Sequence, residues 1–263
     1  MKQFLFKIIV RSFSCFFALL GIVFSFFTLP RLKGIYTASR VAFYTHLYRR
    51  RFKSFGKSSI ISGKFLDFRG AECIEIGENS KIGEKCFLTA WSSIGNQKFS
   101  PIIKLGNNSN ISSFSHVTCV NKIIIGNNVC MGRHLLISDN SHGKDSFEDA
   151  FVPVMERPLF SQGPVIIEDN VWIGEYSCIL PNVKIGRGTT IGAGSIVRND
   201  IPPYSYVFGN PAKVIGFKYT PEEMYEIEKK LYPEDQRYSL QQLQAYYDKY
   251  YSRRIKDILK FVK

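Results

Sequence analysis

Four histidines and six cysteines are the side chains of this 263-residue sequence best suited to nucleophilic, acid–base or metal chemistry. The cysteines (Cys15, Cys73, Cys86, Cys119, Cys130, Cys178) form no C-x-x-C pair and no compact framework, so they read as reduced, mostly buried thiols. No G-x-S-x-G elbow presents a serine nucleophile, and no glycine-rich loop is built to cradle the phosphates of a hydrolysed nucleotide. Of the histidines, His46 lies in a basic N-terminal arm and His134 sits in mid-segment in MGRHLL, a solvent-facing position. His116 closes ISSFSH one residue before an inward valine, where contact with a substrate competes with a structural role. His142 closes ISDNSH at the mouth of the long segment 143–164, GKDSFEDAFVPVMERPLFSQGP. An imidazole titrates near neutrality and suits removal of an alcohol proton, and long loops in regular chains tend to carry function. His142 is therefore the histidine best placed for such chemistry, with Asp139 placed to orient it or to meet the acceptor.

The element that must hold His142 is a six-residue repeat. IEDNVW (167–172) is followed without interruption by IGEYSC, ILPNVK, IGRGTT, IGAGSI and VRNDIP, and earlier units include IGENSK, LGNNSN and IGNNVC. Six is neither the helical period nor the simple strand period, and it predicts a solenoid with one short strand per hexad and three strands per coil. The leading Ile, Val or Leu points inward and stacks on its counterpart about 4.8 Å away in the next coil. Gly, Asn and Asp supply the corners. The repeat is interrupted at residues 95–104 and again at 143–164.

On SDNSHG (138–143), the run GPVIIEDNVWIGEYSCILPNVKIGRGTTIGAGSIVRNDIPPYS (163–205) and GNPAKVIG (209–216), the sequence resembles the hexapeptide-repeat acyltransferases. It is most similar to the O-acetyltransferases of capsule, O-antigen and exopolysaccharide pathways. The resemblance covers residues 57–216 and implies a mainly β fold, a left-handed parallel β-helix. It also implies acetyl-CoA as donor, a carbohydrate acceptor that is possibly lipid-linked, a homotrimer, and His142 as base in a direct transfer. Where many relatives have a second histidine, this chain has Asn140. By the same resemblance the donor contacts Trp172, Gly174, Ala193, Arg198 and Lys213, and Asn121 stands where relatives place a polar sugar-binding residue. Three alternatives stay open: N-acetylation of an amino sugar or sugar nucleotide, a non-catalytic scaffold of polysaccharide assembly, and a zinc enzyme of the γ-type carbonic anhydrase kind. The last needs three histidines, two of them separated by four residues, whereas seven separate His134 from His142, so no metal is expected.

Charge divides the chain further. The net charge is +13, yet residues 1–57 hold eleven Lys or Arg and no acidic residue, so the body is close to neutral. Residues 12–29, SFSCFFALLGIVFSFFTL, are uncharged and would reach about 27 Å as a helix. RVAFYTHLYRRRFKSF (40–55) interleaves aromatics with Arg49, Arg50, Arg51 and Lys53. Together they predict, over residues 1–56, an arm for an anionic membrane surface rather than a nucleic-acid partner, with a single crossing and a buried helix as the alternatives; the resemblance, through its acetyl-CoA donor, implies the cytoplasmic face of a bacterial inner membrane. Residues 217–263 predict a helical tail. Thr220-Pro221-Glu222-Glu223 reads as a capping box, Ser239 with Gln242 opens a second helix, and the tyrosines between them pack or face a sugar.

Overall fold

A computed structural model describes residues 2–27 and 30–261 and divides into two compact units, Met1–Phe43 and Tyr44–Lys263. The first holds α1 (Lys2–Phe27) and most of α2 (Pro30–Tyr48). Phe13, Phe16, Phe17, Leu19, Ile22 and Val23 of α1 are exposed. Among the described residues no helix is long and apolar enough to cross a membrane.

The second unit is a parallel β-helix. Its first sheet stacks Ser54–Phe55, Ile74–Ile76, Ile102–Leu105, Lys122–Ile125, Val165–Ile167 and Val183–Ile185. The second face stacks Ile60–Ile61, Lys81–Ile82 and Asn110–Ile111, then Cys130–Met131, Trp172–Ile173, Thr190–Ile191 and Ser205–Phe208. The third stacks Asp67–Arg69, Phe87–Ala90, His116–Cys119, Leu136–Ser138, Cys178–Ile179 and Ile196–Val197. Hexad-leading residues such as Ile82, Leu105, Ile125, Ile167, Ile173, Ile185 and Ile191 point inward and are essentially inaccessible to water, each burial worth about 1.5–3 kcal/mol.

The corners explain the Asn-rich positions. Asn79, Asn108, Asn128 and Asn170, all at the corner after the first sheet, have φ between 52° and 59°, a region where Asn is tolerated better than bulkier residues. At the same corner each coil hands a hydrogen bond to the next: the amides of Glu78, Asn107 and Asn127 donate to Oδ1 of Asn107, Asn127 and Asp169 at 2.8, 2.9 and 2.7 Å.

A solenoid exposes its core at both ends unless something covers it. At the start, Tyr48, Phe52, Phe65 and Phe68 form an aromatic plug with ring centroids 4.5–5.4 Å apart, and the Ile61 amide donates to Thr45 Oγ1 at 2.9 Å. Tyr44, Tyr48, Phe52 and Phe55 of the 40–55 segment are thus committed to the first coil, while Phe43 is exposed, as are Arg49, Arg50 and Arg51 in a 3-10 turn after α2. The cysteines depart from expectation. Only Cys86 and Cys119 are buried, Cys73 and Cys178 are half-buried, and Cys15 and Cys130 are exposed; Cys130 and Cys178 hold outward strand positions and Cys15 lies on α1.

At the other end the chain returns as an antiparallel strand, Lys213–Phe217, followed by α3 (Pro221–Leu231) and α4 (Leu240–Phe261). Both expected caps form: Thr220 with Glu223 reciprocally, and Ser239 with Gln242 reciprocally. The tail packs rather than standing free. Glu228 is fully buried and receives the Tyr204 hydroxyl, the Tyr238 amide at 2.8 Å and the Arg187 guanidinium at 3.4 Å. Arg187 lies 3.9 Å from the Tyr232 ring centroid and also pairs with Glu168, which holds Lys184 at 2.8 Å and the Tyr238 hydroxyl at 2.9 Å. Burial acts to raise the Glu168 carboxyl, but the Lys184 hydrogen bond, the Arg187 amide and both cationic charges hold it below the ordinary carboxylate range. A carboxyl depressed in the folded state adds stability that is complete above its unfolded pKa and is lost as pH falls through the folded value. Acidification below about pH 4 is therefore expected to loosen the tail, read as accelerated proteolysis within 217–263. Unchanged cleavage at that pH would refute the coupling.

Candidate active site

Both interruptions of the repeat emerge at one corner, the passage from the third sheet back to the first. The earlier one is a hairpin, Ser93–Ile94 with Gln97–Lys98, and it ends before Ile102, where the first sheet resumes. The later one opens as a ribbon in which Ser141–His142 pairs antiparallel with Leu159–Phe160, Ser141 opposite Phe160 and His142 opposite Leu159. The Gly143 amide donates to the Pro158 carbonyl at 2.9 Å, and Gly143 itself has φ 82°. Beyond the ribbon, the Asp149 carboxylate gathers the amides of Lys144 and Ser146 at 2.6 and 3.2 Å, and Arg157 Nε donates to the Val152 carbonyl at 2.9 Å. The segment is thus an ordered element that presents His142, exposed, at its base.

Gln97 joins the two interruptions. Its Nε2 donates to the Leu159 carbonyl at 3.1 Å and its Oε1 accepts from the Leu159 amide at 2.8 Å, directly across the ribbon from His142. Asn121 donates to Ser161 Oγ at 3.3 Å, which brings its amide to the same ribbon. Gln97 and Ser161 were not among the expected residues. Their only sequence signal is that both lie in segments departing from the hexad.

Asp139 requires a correction. It is fully buried, and its Oδ2 accepts from the Asn121 and Lys122 amides at 2.8 and 2.7 Å and from Cys119 Sγ at 3.1 Å. Its Oδ1 accepts from the Val120 amide at 2.9 Å and from Asn140 Nδ2 at 3.0 Å. The carboxylate is consumed in fixing the corner and is not an acceptor contact. Burial and this neighbouring carboxylate push the Cys119 thiol up, far from reactivity. Asn140, in place of a second histidine, folds back onto Asp139 and the Thr118 carbonyl.

His116 lies on the outer row of the third sheet, its ring centroid 5.1 Å from that of Phe87. Burial lowers its imidazole below the ordinary range, with Asp67 pulling the other way. The remaining residues divide. Trp172, 57% exposed on the second sheet, leads into the corner at Gly174, and Ala193 sits one coil above. A Cβ at Gly174 would lie 2.4 Å from the Ala193 nitrogen, so this glycine is required by coil stacking. Arg198 is exposed at the end of the third sheet, toward the corner His142 and Asn121 occupy, and Lys213 is exposed on the returning strand opposite Phe208. The third sheet separates Trp172, Gly174 and Ala193 from His142 and Asn121. Among the described residues no group of three His, Cys, Asp or Glu is placed to hold a metal.

Residues 164–199 match the family model for the bacterial transferase hexapeptide, six repeats. That stretch of the coil is built of hexapeptide repeats. Over 118 residues, 43% of this chain and 60% of the relative, the hexapeptide chain is 31% identical to a putative lipopolysaccharide biosynthesis O-acetyl transferase of Escherichia coli K12. It is 34% identical over 117 residues, 40% of this chain and 56% of the relative, to a chloramphenicol acetyltransferase of Klebsiella aerogenes. The chain therefore spans 60% and 56% of the length of these two relatives. Among solved structures, AntD, an N-acyltransferase from Bacillus cereus in complex with dTDP and 3-hydroxybutyryl-CoA, aligns with a TM-score of 0.54. The identity is 23%, over 71% of this chain and 93% of that one. The fold is accordingly the left-handed parallel β-helix.

Proposed function

We propose that the protein is an acetyl-CoA-dependent acetyltransferase acting on a sugar hydroxyl of a bacterial cell-surface polysaccharide or its lipid-linked precursor. The observation that carries the reading is the exposed His142 at the base of an ordered ribbon, with the Asn121 amide held to the same ribbon through Ser161. In the reaction His142 takes the proton from the sugar hydroxyl, and the oxygen attacks the thioester carbonyl. The tetrahedral intermediate expels the CoA thiolate, and the imidazolium returns the proton to that sulfur. The buried thiols of Cys86, raised to about 11, and of Cys119 offer no competing nucleophile. Incubation with acetyl-CoA and fractionated envelope glycans, followed by NMR location of the new acetyl group, tests the reading. Ester formation supports it; amide formation on an amino sugar moves it to the N-acetyltransferase alternative, and no transfer overturns both.

A second copy completes this site. Trp172 and Ala193 stand across the third sheet from His142, and the outward ladder of that sheet runs Phe87, His116, Leu136, Cys178, Ile196. That ladder begins at Asp67 and becomes apolar from Leu136 on, and a homotrimer that sets the donor edge of one copy beside the His142 edge of the next answers the separation of the two edges. Light scattering is expected to give three times the chain mass, and an active monomer would exclude it.

The N-terminal unit supports attachment to an anionic membrane surface at the cytoplasmic face, where the donor is available. The exposed phenylalanines of α1 supply apolar area, and separately, in the second unit, Arg49, Arg50 and Arg51 add on the order of 1 kcal/mol each. Three arms per trimer act together through effective concentration. Co-sedimentation with anionic liposomes is expected to fall sharply when residues 1–33 are removed. It is expected to fall mainly at low salt when the three arginines are replaced, since screening shortens their reach.

A further inference from the structure

Two corners of the same coil use one backbone geometry and carry opposite side chains. After the first sheet the left-handed positions hold Ser58, Asn79, Asn108, Asn128, Asn170, Gly188 and, at the last turn, Tyr204, so Asn and Gly, which that conformation favours, fill five of the seven. After the second sheet they hold Lys85, Phe114, His134, Tyr176 and Gly194, with φ of 57°, 62°, 59°, 60° and 70°. Bulky residues at positive φ are uncommon and strained, and such outliers are informative when something offsets them.

These side chains form a column. His134 stacks on Phe114 at 5.0 Å and 12°, and Tyr176 stacks on His134 at 4.7 Å and 1°. Lys85 Nζ covers the far face of Phe114, 5.2 Å from its centroid, so the lower end is closed. The amides of His134, Tyr176 and Gly194 each donate to the coil below, to Ser113, Arg133 and Glu175, so Gly194 is the next rung. That rung has no side chain, and nothing lies within 4 Å of the place a Cβ would occupy. Tyr176 is 61% exposed, and Ala193 lies beside the gap.

We infer that the vacant step above Tyr176 receives the adenine ring of the acyl-CoA donor, which continues the column as its fourth ring. The inference rests on the donor reading above, which puts CoA along Trp172 and Ala193. A purine fits because it is flat on both faces, and the column ends in a flat, parallel ring with one face open. The partner's chemistry separates this contact from the rest of the donor site, because pantetheine shares the thiol arm of CoA and lacks the adenine.

The full chain, kept in detergent, is titrated calorimetrically with CoA and with pantetheine. Tyr176→Asn installs the residue the other corner uses at this conformation, and Gly194→Asn fills the vacant step. Both are expected to weaken CoA binding about 10-fold, the usual worth of one stacked base, and to leave pantetheine binding within error. Wild-type affinity for CoA in both variants overturns the inference while leaving the donor reading intact. Failure of the unsubstituted chain to bind either compound overturns both. An equal loss for CoA and pantetheine also overturns the inference, since it marks a general disturbance of the groove. If one variant fails to fold, the other decides.

Discussion

Replacing His142 by alanine is expected to lower kcat by about 10²–10⁴-fold, the worth of a positioned general base, and to leave the melting temperature unchanged. The second half of the expectation comes from how His142 is held. Its main chain is an antiparallel partner of Leu159, and its side chain is exposed, so the substitution removes an imidazole without opening a cavity or orphaning a buried group. The ribbon also has independent anchors in Gln97 on Leu159 and Asp149 on the amides of Lys144 and Ser146. KM for acetyl-CoA is expected to hold, because the loss falls on a proton transfer and not on donor binding. Steady-state kinetics beside a thermal melt separate the outcomes. A retained wild-type rate would remove His142 from the chemistry, and a collapse of the melt would make its role structural.

The coil was legible in the sequence because its physics is periodic. An inward Ile, Val or Leu every six residues specifies both the spacing of strands and the face each presents, and Ile82, Ile125 and Ile173 are buried where that pattern puts them. The tail caps were legible for the same local reason, since a hydroxyl and a carboxyl or amide three residues apart form a cap by themselves. The site was legible only in part. His142 announces itself at the end of a hexad, but Gln97 reaches Leu159 across 62 positions of sequence, and no spacing rule links two non-repeating segments. The aromatic column was present at the fourth position of the written-out hexads, where ISSFSH and IGEYSC carry Phe114 and Tyr176. It became meaningful only once the backbone at those positions proved left-handed. Asp139 was misjudged because adjacency in sequence to His142 suggests adjacency in function, whereas the chain turns between them and drives the carboxylate inward.

That inward turn sets the largest stability effect expected of a single substitution in the corner. Asp139→Ala withdraws the acceptor from three backbone amides, those of Val120, Asn121 and Lys122 at 2.9, 2.8 and 2.7 Å, at a residue with no access to water. The buried Val120 amide left unpaired costs about 1–3 kcal/mol and the part-buried amides of Asn121 and Lys122 add to it, so the loss is on the order of 3 kcal/mol out of a total stability of about 5–15. For a unit of this size that is a fall in melting temperature of about 6–12 °C. Asp139→Asn is expected to fall between alanine and wild type, because an amide oxygen at the Oδ2 position still serves Asn121 and Lys122 while its nitrogen confronts the Val120 amide. Activity should follow stability, since the same three amides fix the backbone that carries Asn121 beside the His142 ribbon. A carboxylate that touched the acceptor would behave the other way, raising the acceptor KM in the asparagine variant with no change in melting. The two measurements on one pair of variants therefore decide whether this corner is held together by Asp139, and a wild-type melt for Asp139→Ala would show that it is not.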